Sequence, residues 1–208
     1  MSKIEVEKYQ GINYLVIYPK DYKPNKKYPV VFHLHGAGSR GVDFKEFKES
    51  IILEILRRED SPLNNAFVIM PQCHADTWFD IFNSLLELVE YTYNRSFVDK
   101  KRFNISGISM GGYAAYQVIM SLPKLFNKAI ICCGGGMYWN SGRLVHTKFR
   151  IFHGEKDTCV YPEESRRMYE RLLETNGDVT LTIFPECDHN CWEKTYYNYD
   201  NLEWLVNL

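Results

Sequence analysis

Arg102-Phe103-Asn104-Ile105-Ser106-Gly107-Ile108-Ser109-Met110-Gly111-Gly112 is the stretch on which the reading of the fold turns. Its first five residues form a buried-strand candidate, and Tyr113–Ser121, beyond the glycines, has the composition of a helix. Between them Gly107 to Gly111 spells G-x-S-x-G. A chance match to that pattern in a chain of this length has odds on the order of a few per cent, so its setting carries the weight. A serine in so tight a strand-to-helix turn needs neighbours without bulk, and positions 107 and 111 supply them. The turn lifts the Ser109 hydroxyl above the sheet, at a helix N-terminus whose amides stabilise negative charge. That is the setting of a nucleophile. The plainer alternative is a structural serine in a glycine-rich turn.

Outward from this motif, strand-like and helix-like stretches alternate. Ile4–Tyr9 and Tyr14–Tyr18 read as a hairpin turning at Gln10-Gly11. Val30–His35, Ala66–Met70, Lys128–Cys133, Lys148–Phe152 and the alternating Val179–Phe184 complete a set of about eight strands. Helical periods run through Phe44–Arg57, Ile81–Tyr93 and Trp192–Val206, and Pro162 opens a further helix that Asn176-Gly177 ends. Such alternation predicts an α/β fold: a mostly parallel sheet covered by helices on both faces. Residues 1–208 are expected to form a single domain.

Composition excludes several other classes. Charge is balanced, with 25 Lys+Arg against 26 Asp+Glu, so no basic field exists to attract nucleic acid or an anionic membrane. The N-terminal residues lack the apolar run of a secretory signal, and no later run approaches a membrane span. The expected location is the cytoplasm. Six cysteines without a C-x-x-C pair read as reduced apolar residues rather than a disulfide scaffold. Oligomeric state is not encoded in any feature of the sequence.

A serine hydroxyl needs a base, and in this architecture an acid and then a histidine follow the serine at the ends of later strands. His146 precedes its strand, and His153 precedes every suitable acid, which leaves His189. Asp157 follows the neighbouring strand and can reach the His189 loop; Glu155 competes with it. Asp178 enters its strand at the opposite edge, and Asp188 is adjacent to His189. The loop His35-Gly36-Ala37-Gly38-Ser39-Arg40-Gly41 can bring amides to an oxyanion, with Ala37 first and Gly38 in reserve, beside the amide of Met110. A phosphate-cradling role for this loop fails because the P-loop lysine is missing. Cys187, His189 and Cys191 alternate too closely to be three ligands of one tetrahedral zinc. No metal or cofactor is therefore expected.

The segments HLHGAGSRG, GISMGG, HGEKDTCVYPEES and CDHNCW, in this order, resemble the α/β-hydrolase superfamily. The resemblance is nearest to small esterases grouped around dienelactone hydrolase, feruloyl and acetylxylan esterases and the prolyl-oligopeptidase-like catalytic domains. It implies a triad of Ser109, Asp157 and His189 and hydrolysis of a small-molecule or carbohydrate ester. Many members read Gly-Glu-Arg-Gly where this chain has Gly38-Ser39-Arg40-Gly41. The segment between Cys133 and Lys148 leaves no room for a large lid. Among the loop aromatics, Trp78 and Trp139 are the expected pocket walls, with Gly38 beside the substrate. A peptidase of the prolyl-oligopeptidase type and a non-catalytic binding module are the competing expectations.

Overall fold

A computed structural model describes residues 2–208; Met1 lies outside the described residues. Eight strands form one sheet: β1 Ile4–Tyr9, β2 Ile12–Ile17, β3 Tyr28–Leu34, β4 Phe67–Pro71, β5 Val98–Ile108, β6 Lys128–Cys132, β7 Lys148–Gly154 and β8 Val179–Phe184. Their order is β1-β2-β4-β3-β5-β6-β7-β8. β2 is antiparallel to both its neighbours, and every pair from β4 to β8 is parallel. The opening hairpin turns at Gln10 (φ 47°) and Gly11 (φ 84°), the paired left-handed residues that match the twist of a two-residue loop.

Among the described residues the six α-helices are α1 Ile51–Leu56, α2 Phe82–Tyr93, α3 Met110–Ser121, α4 Glu163–Glu174, α5 Trp192–Tyr197 and α6 Tyr199–Val206. β3, β4 and β6 are buried along their whole length, as strands covered on both faces must be. On one face Phe32, Ile105, Ile131 and Ile151 pack against α2, α3 and α4. On the other, Val31, Val68, Ile130 and Phe152 pack against α1, α5 and α6. Among the described residues, no helix is long and apolar enough to cross a membrane.

Two expected helices are each broken in two. The period through Phe44–Arg57 does bury Phe47, Ile51, Ile52 and Ile55, but a 3-10 segment, Lys45–Glu49, precedes α1. Ser50 between them is extended (φ −67°, ψ 122°). The Phe44 amide donates to Gln72 Oε1 (2.9 Å), which ties the start of this segment to the chain after β4. Likewise Asn198 (φ −80°, ψ 100°) interrupts Trp192–Val206, and its side chain accepts from the Asp200 amide (3.1 Å) as the cap of α6.

Candidate active site

The parallel strands end on one rim, and the loops leaving β3, β5, β7 and β8 carry the site. Ser109 sits between β5 and α3 with φ 52° and ψ −119°, a backbone state that a residue with a side chain rarely adopts. Strain of this kind costs about 1–3 kcal/mol and persists only where surrounding bonds over-determine it. Here the Ser109 amide donates to Cys132 O (2.9 Å), and its carbonyl accepts from Gly112 N (2.7 Å) and Tyr113 N (3.1 Å). A β-carbon at position 107 would stand 2.3 Å from Gly111 O, and one at 111 would stand 2.0 Å from Leu34 O. The turn therefore requires both glycines.

Three side chains separated along the chain meet here. His189 Nε2 lies 3.0 Å from Ser109 Oγ, and His189 Nδ1 lies 2.7 Å from Asp157 Oδ2. A carboxylate only accepts, so Nδ1 carries the proton and Nε2 accepts from the serine hydroxyl. The amides of Cys159 (2.8 Å) and Val160 (2.9 Å) donate to Asp157 Oδ1. Burial works to raise the Asp157 carboxyl, but the bonds from His189, Val160 and Cys159 outweigh it and hold the group below its ordinary range. The loop bearing His189 packs directly on the end of β7, where Lys156 N donates to Cys187 O (2.9 Å).

The other candidates are engaged elsewhere. Glu155 turns outward to Arg166 (2.5 Å), and Asp188 accepts from the Asn190 amide of its own loop (3.0 Å). Asp178 pairs with Lys148 (3.1 Å) at the opposite edge of the sheet. His146 is exposed ahead of β7. His153 precedes the acid in sequence, so chain order does not select it as the base. It is wholly buried, and its Nε2 approaches Asp157 Oδ2 at 3.1 Å.

The loop after β3 forms a 3-10 turn, Ala37–Ser39, over the same opening. His35 fixes its direction. The Cys73 amide donates to His35 Nε2 (3.0 Å), so Nδ1 carries the proton and donates to Gly36 O (2.7 Å). In a trans peptide the C=O and the next N–H point opposite ways, so holding Gly36 O aims the Ala37 amide. Arg40 donates from Nε to Ala37 O (2.9 Å) and from a terminal nitrogen to Asp76 O (2.8 Å). That clamp aims the Gly38 amide in the same manner. Gln72 adds a bond to Ser39 O (3.1 Å). Burial pushes His35 down to about 4, so the ring stays neutral. Met110 opens α3, so its amide has no partner within the helix.

These groups open on a cleft of about 400 Å³ whose walls include Ser109, His189, Ala37, Gly38, Ile51 and Trp192. His33, Ser39, Glu46 and Ser50 give it a polar side. The expected walls need correcting. Trp78 is fully buried, tilted against His35 (centroids 4.9 Å apart) with its Nε1 donating to His35 O (3.1 Å), because it fills the core under the loop. Trp139 is 65% exposed in the segment after β6 and does not line the cleft. Trp192 lines the cleft instead, and its ring meets His189 edge-on at 5.7 Å.

Ligand atoms of Cys133, Asp157 and His189 lie within 4.8 Å of one another, the one such group among the described residues. Both oxygens of Asp157 and both nitrogens of His189 already hold partners, so hydrogen bonding accounts for the cluster. Cys187 and Cys191 do not join it.

Residues 14–202 match the model of the dienelactone hydrolase family. A thermostable esterase of known structure is 30% identical, with a TM-score of 0.83 over 98% of this chain and 62% of its own. S-formylglutathione hydrolase from Staphylococcus aureus is 19% identical, with a TM-score of 0.74, and the two chains align over 100% and 96% of their lengths. A probable dipeptidyl-aminopeptidase B from Uncinocarpus reesii is 22% identical over 91% of this chain and 25% of its own. The chain thus spans about a quarter of that curated relative. With a serine held at the strand-to-helix turn of an α/β-hydrolase sheet, and a family match over nearly its whole length, the chain belongs to the dienelactone hydrolase family.

Proposed function

We propose that the protein hydrolyses small carboxylic esters, including acyl groups carried on hydroxylated or carbohydrate alcohols, through an acyl-enzyme. The observation that carries this reading is the unbroken line from Ser109 Oγ to His189 (3.0 Å) and from His189 to Asp157 (2.7 Å). In the first step Ser109 Oγ attacks the ester carbonyl while His189 Nε2 takes its proton. The amides of Ala37 and Met110 hold the oxyanion. The tetrahedral intermediate collapses, and His189 returns the proton to the departing alcohol. Water then repeats the sequence on the acyl-serine, releasing the acid and restoring Ser109. Asp157 stays ionised throughout and stabilises the imidazolium.

A cleft of about 400 Å³ suits a small acyl group, and the hydroxyls of Ser39 and Ser50 with the Glu46 carboxylate offer partners for alcohol hydroxyls. The experiment is a substrate series of aryl acetate and butyrate, acetylated and feruloylated sugars, and long-chain esters, with Ser109→Ala as control. The proposal predicts cleavage of the short and sugar-linked esters and loss of several orders of magnitude in Ser109→Ala. Preference for long chains, or an active Ser109→Ala, contradicts it.

A peptidase reading is favoured by one observation, the similarity to the dipeptidyl-aminopeptidase relative. Hydrolysis of dipeptidyl anilides at a rate matching that of acetate esters would select it.

A further inference from the structure

Beyond the three residues of the proposed triad, we infer that His153 is a positioning residue that donates a second imidazole N–H to the acid and thereby sets how strongly Asp157 holds the His189 proton. The inference rests on the triad reading above. His153 lies on β7 four residues before Asp157, and its side chain and that of Asp157 are both closed to solvent. Its Nε2 lies 3.1 Å from Asp157 Oδ2 and 2.9 Å from Val160 O. Both neighbours only accept, so Nε2 carries a proton in any charge state of the ring. Oδ2 is the same oxygen that receives His189 Nδ1–H, so two imidazoles share one acceptor.

The ring is itself held. Ser165 Oγ, at the start of α4, lies 2.7 Å from His153 Nδ1 and 3.2 Å from Gly134 O. Bonding at Nδ1 and Nε2 together leaves the imidazole one orientation. Val160 adds closure, because its amide donates to Asp157 Oδ1 while its carbonyl accepts from His153. Movement of the acid loop therefore breaks bonds at both ends. Other titratable groups facing this pair are His189 from the loop after β8, Cys133 at the end of β6, and Cys191 before α5. Tyr113 on α3 also faces it, with Glu164 beyond. Burial raises the Cys133 thiol and pushes Tyr113 up to about 12, so neither adds charge at neutral pH.

An N–H aimed at Oδ2 draws carboxylate charge away from His189. Removing it leaves more of that charge on His189, which then keeps its proton to higher pH. The acid limb of the kcat/KM profile must move upward. Loss of the bonds from His153 also lets Asp157 drift, lowering kcat with little effect on KM.

The test compares His153→Leu and His153→Gln in the full chain, with an aryl acetate as substrate and thermal unfolding measured in parallel. In His153→Leu, kcat falls roughly 10-fold to 100-fold, KM stays near wild type, and the acid limb moves to higher pH. His153→Gln keeps an N–H within reach of Oδ2 and restores most of both. Should His153→Leu fail to fold, Ser165→Ala loosens the ring and gives a smaller displacement of the acid limb in the same direction. An unmoved acid limb in whichever of these folds, or a His153→Gln no better than His153→Leu, overturns the inference. Ser109→Ala in the same assay reads the triad assignment separately: if it stays active, the nucleophile is wrong whatever the His153 variants do.

Discussion

Gly154 and Asp188 meet so closely that a β-carbon on the glycine would stand 1.9 Å from the Asp188 carbonyl oxygen. This contact lets the loop bearing His189 lie flat on the end of β7, within reach of the loop bearing Asp157. Gly154→Ala must therefore push the His189 loop outward. Displacements near 1 Å at a catalytic group cost on the order of 100-fold in rate. We expect kcat to fall by about that factor while the sheet, measured by far-ultraviolet circular dichroism, stays intact. An alanine variant with wild-type kcat would show that the base is not held by this contact.

Arg40 acts at a distance from the serine through two carbonyls, those of Ala37 and Asp76. Arg40→Met removes both bonds and frees the oxyanion loop. The expected result is a fall in kcat of roughly 10-fold, less than the ≈ 10²–10³ lost with an oxyanion donor itself. KM should change less than kcat, because the clamp aims an amide at charge that develops during reaction. Steady-state kinetics on an aryl acetate checks this, and a loss confined to KM would contradict it.

Stability should respond to pH through His33 and His35, which burial depresses to about 3 and about 4. In the unfolded chain both titrate near 6.5, so between 6.5 and 4 the unfolded state binds more protons than the folded one. The folded state loses stability as pH falls through that window and regains it as pH rises. From pH 6.5 to pH 5 the two together contribute a loss of at most about 4 kcal/mol. Urea unfolding at the two pH values measures it. Asp157 runs separately: its depressed carboxyl stabilises the fold above the ordinary carboxylate range, and that contribution is lost only at still lower pH.

Trp192 and Trp139 offer a paired control on the shape of the cleft. Trp192→Ala should raise KM several-fold, since its ring lines the opening beside His189. Trp139→Ala should leave KM unchanged, because that ring is largely in solvent and meets Tyr138 edge-on away from the cleft. The reverse pattern in a steady-state assay would place substrate on the β6 side of the rim.

Much of this was legible in the sequence because local chemistry dictates it. Glycines at 107 and 111 can be read directly as a turn that tolerates no side chain there. Chain order and strand position together single out His189, since only it follows a suitable acid at the correct end of a strand. The misread parts depend on tertiary bonds. Phe44–Arg57 carries a helical period, yet Gln72, 28 residues beyond Phe44, ties its start and a bend at Ser50 divides it. Trp78 falls in a connection by sequence, yet the fold buries it and the His35 carbonyl, just beyond β3, accepts from its Nε1. His153 and Arg40 gave no periodic signal, because each acts through partners that only folding brings near.

The central claim is that Ser109 is the nucleophile, and intact-mass and peptide mass spectrometry after treatment with a fluorophosphonate reads it directly. The account predicts one adduct per chain, on the peptide containing Gly107-Ile108-Ser109-Met110-Gly111, with labelling greatly slowed in His189→Ala. A chain that hydrolyses esters yet carries no adduct on that peptide, or carries it on another residue, would contradict the account.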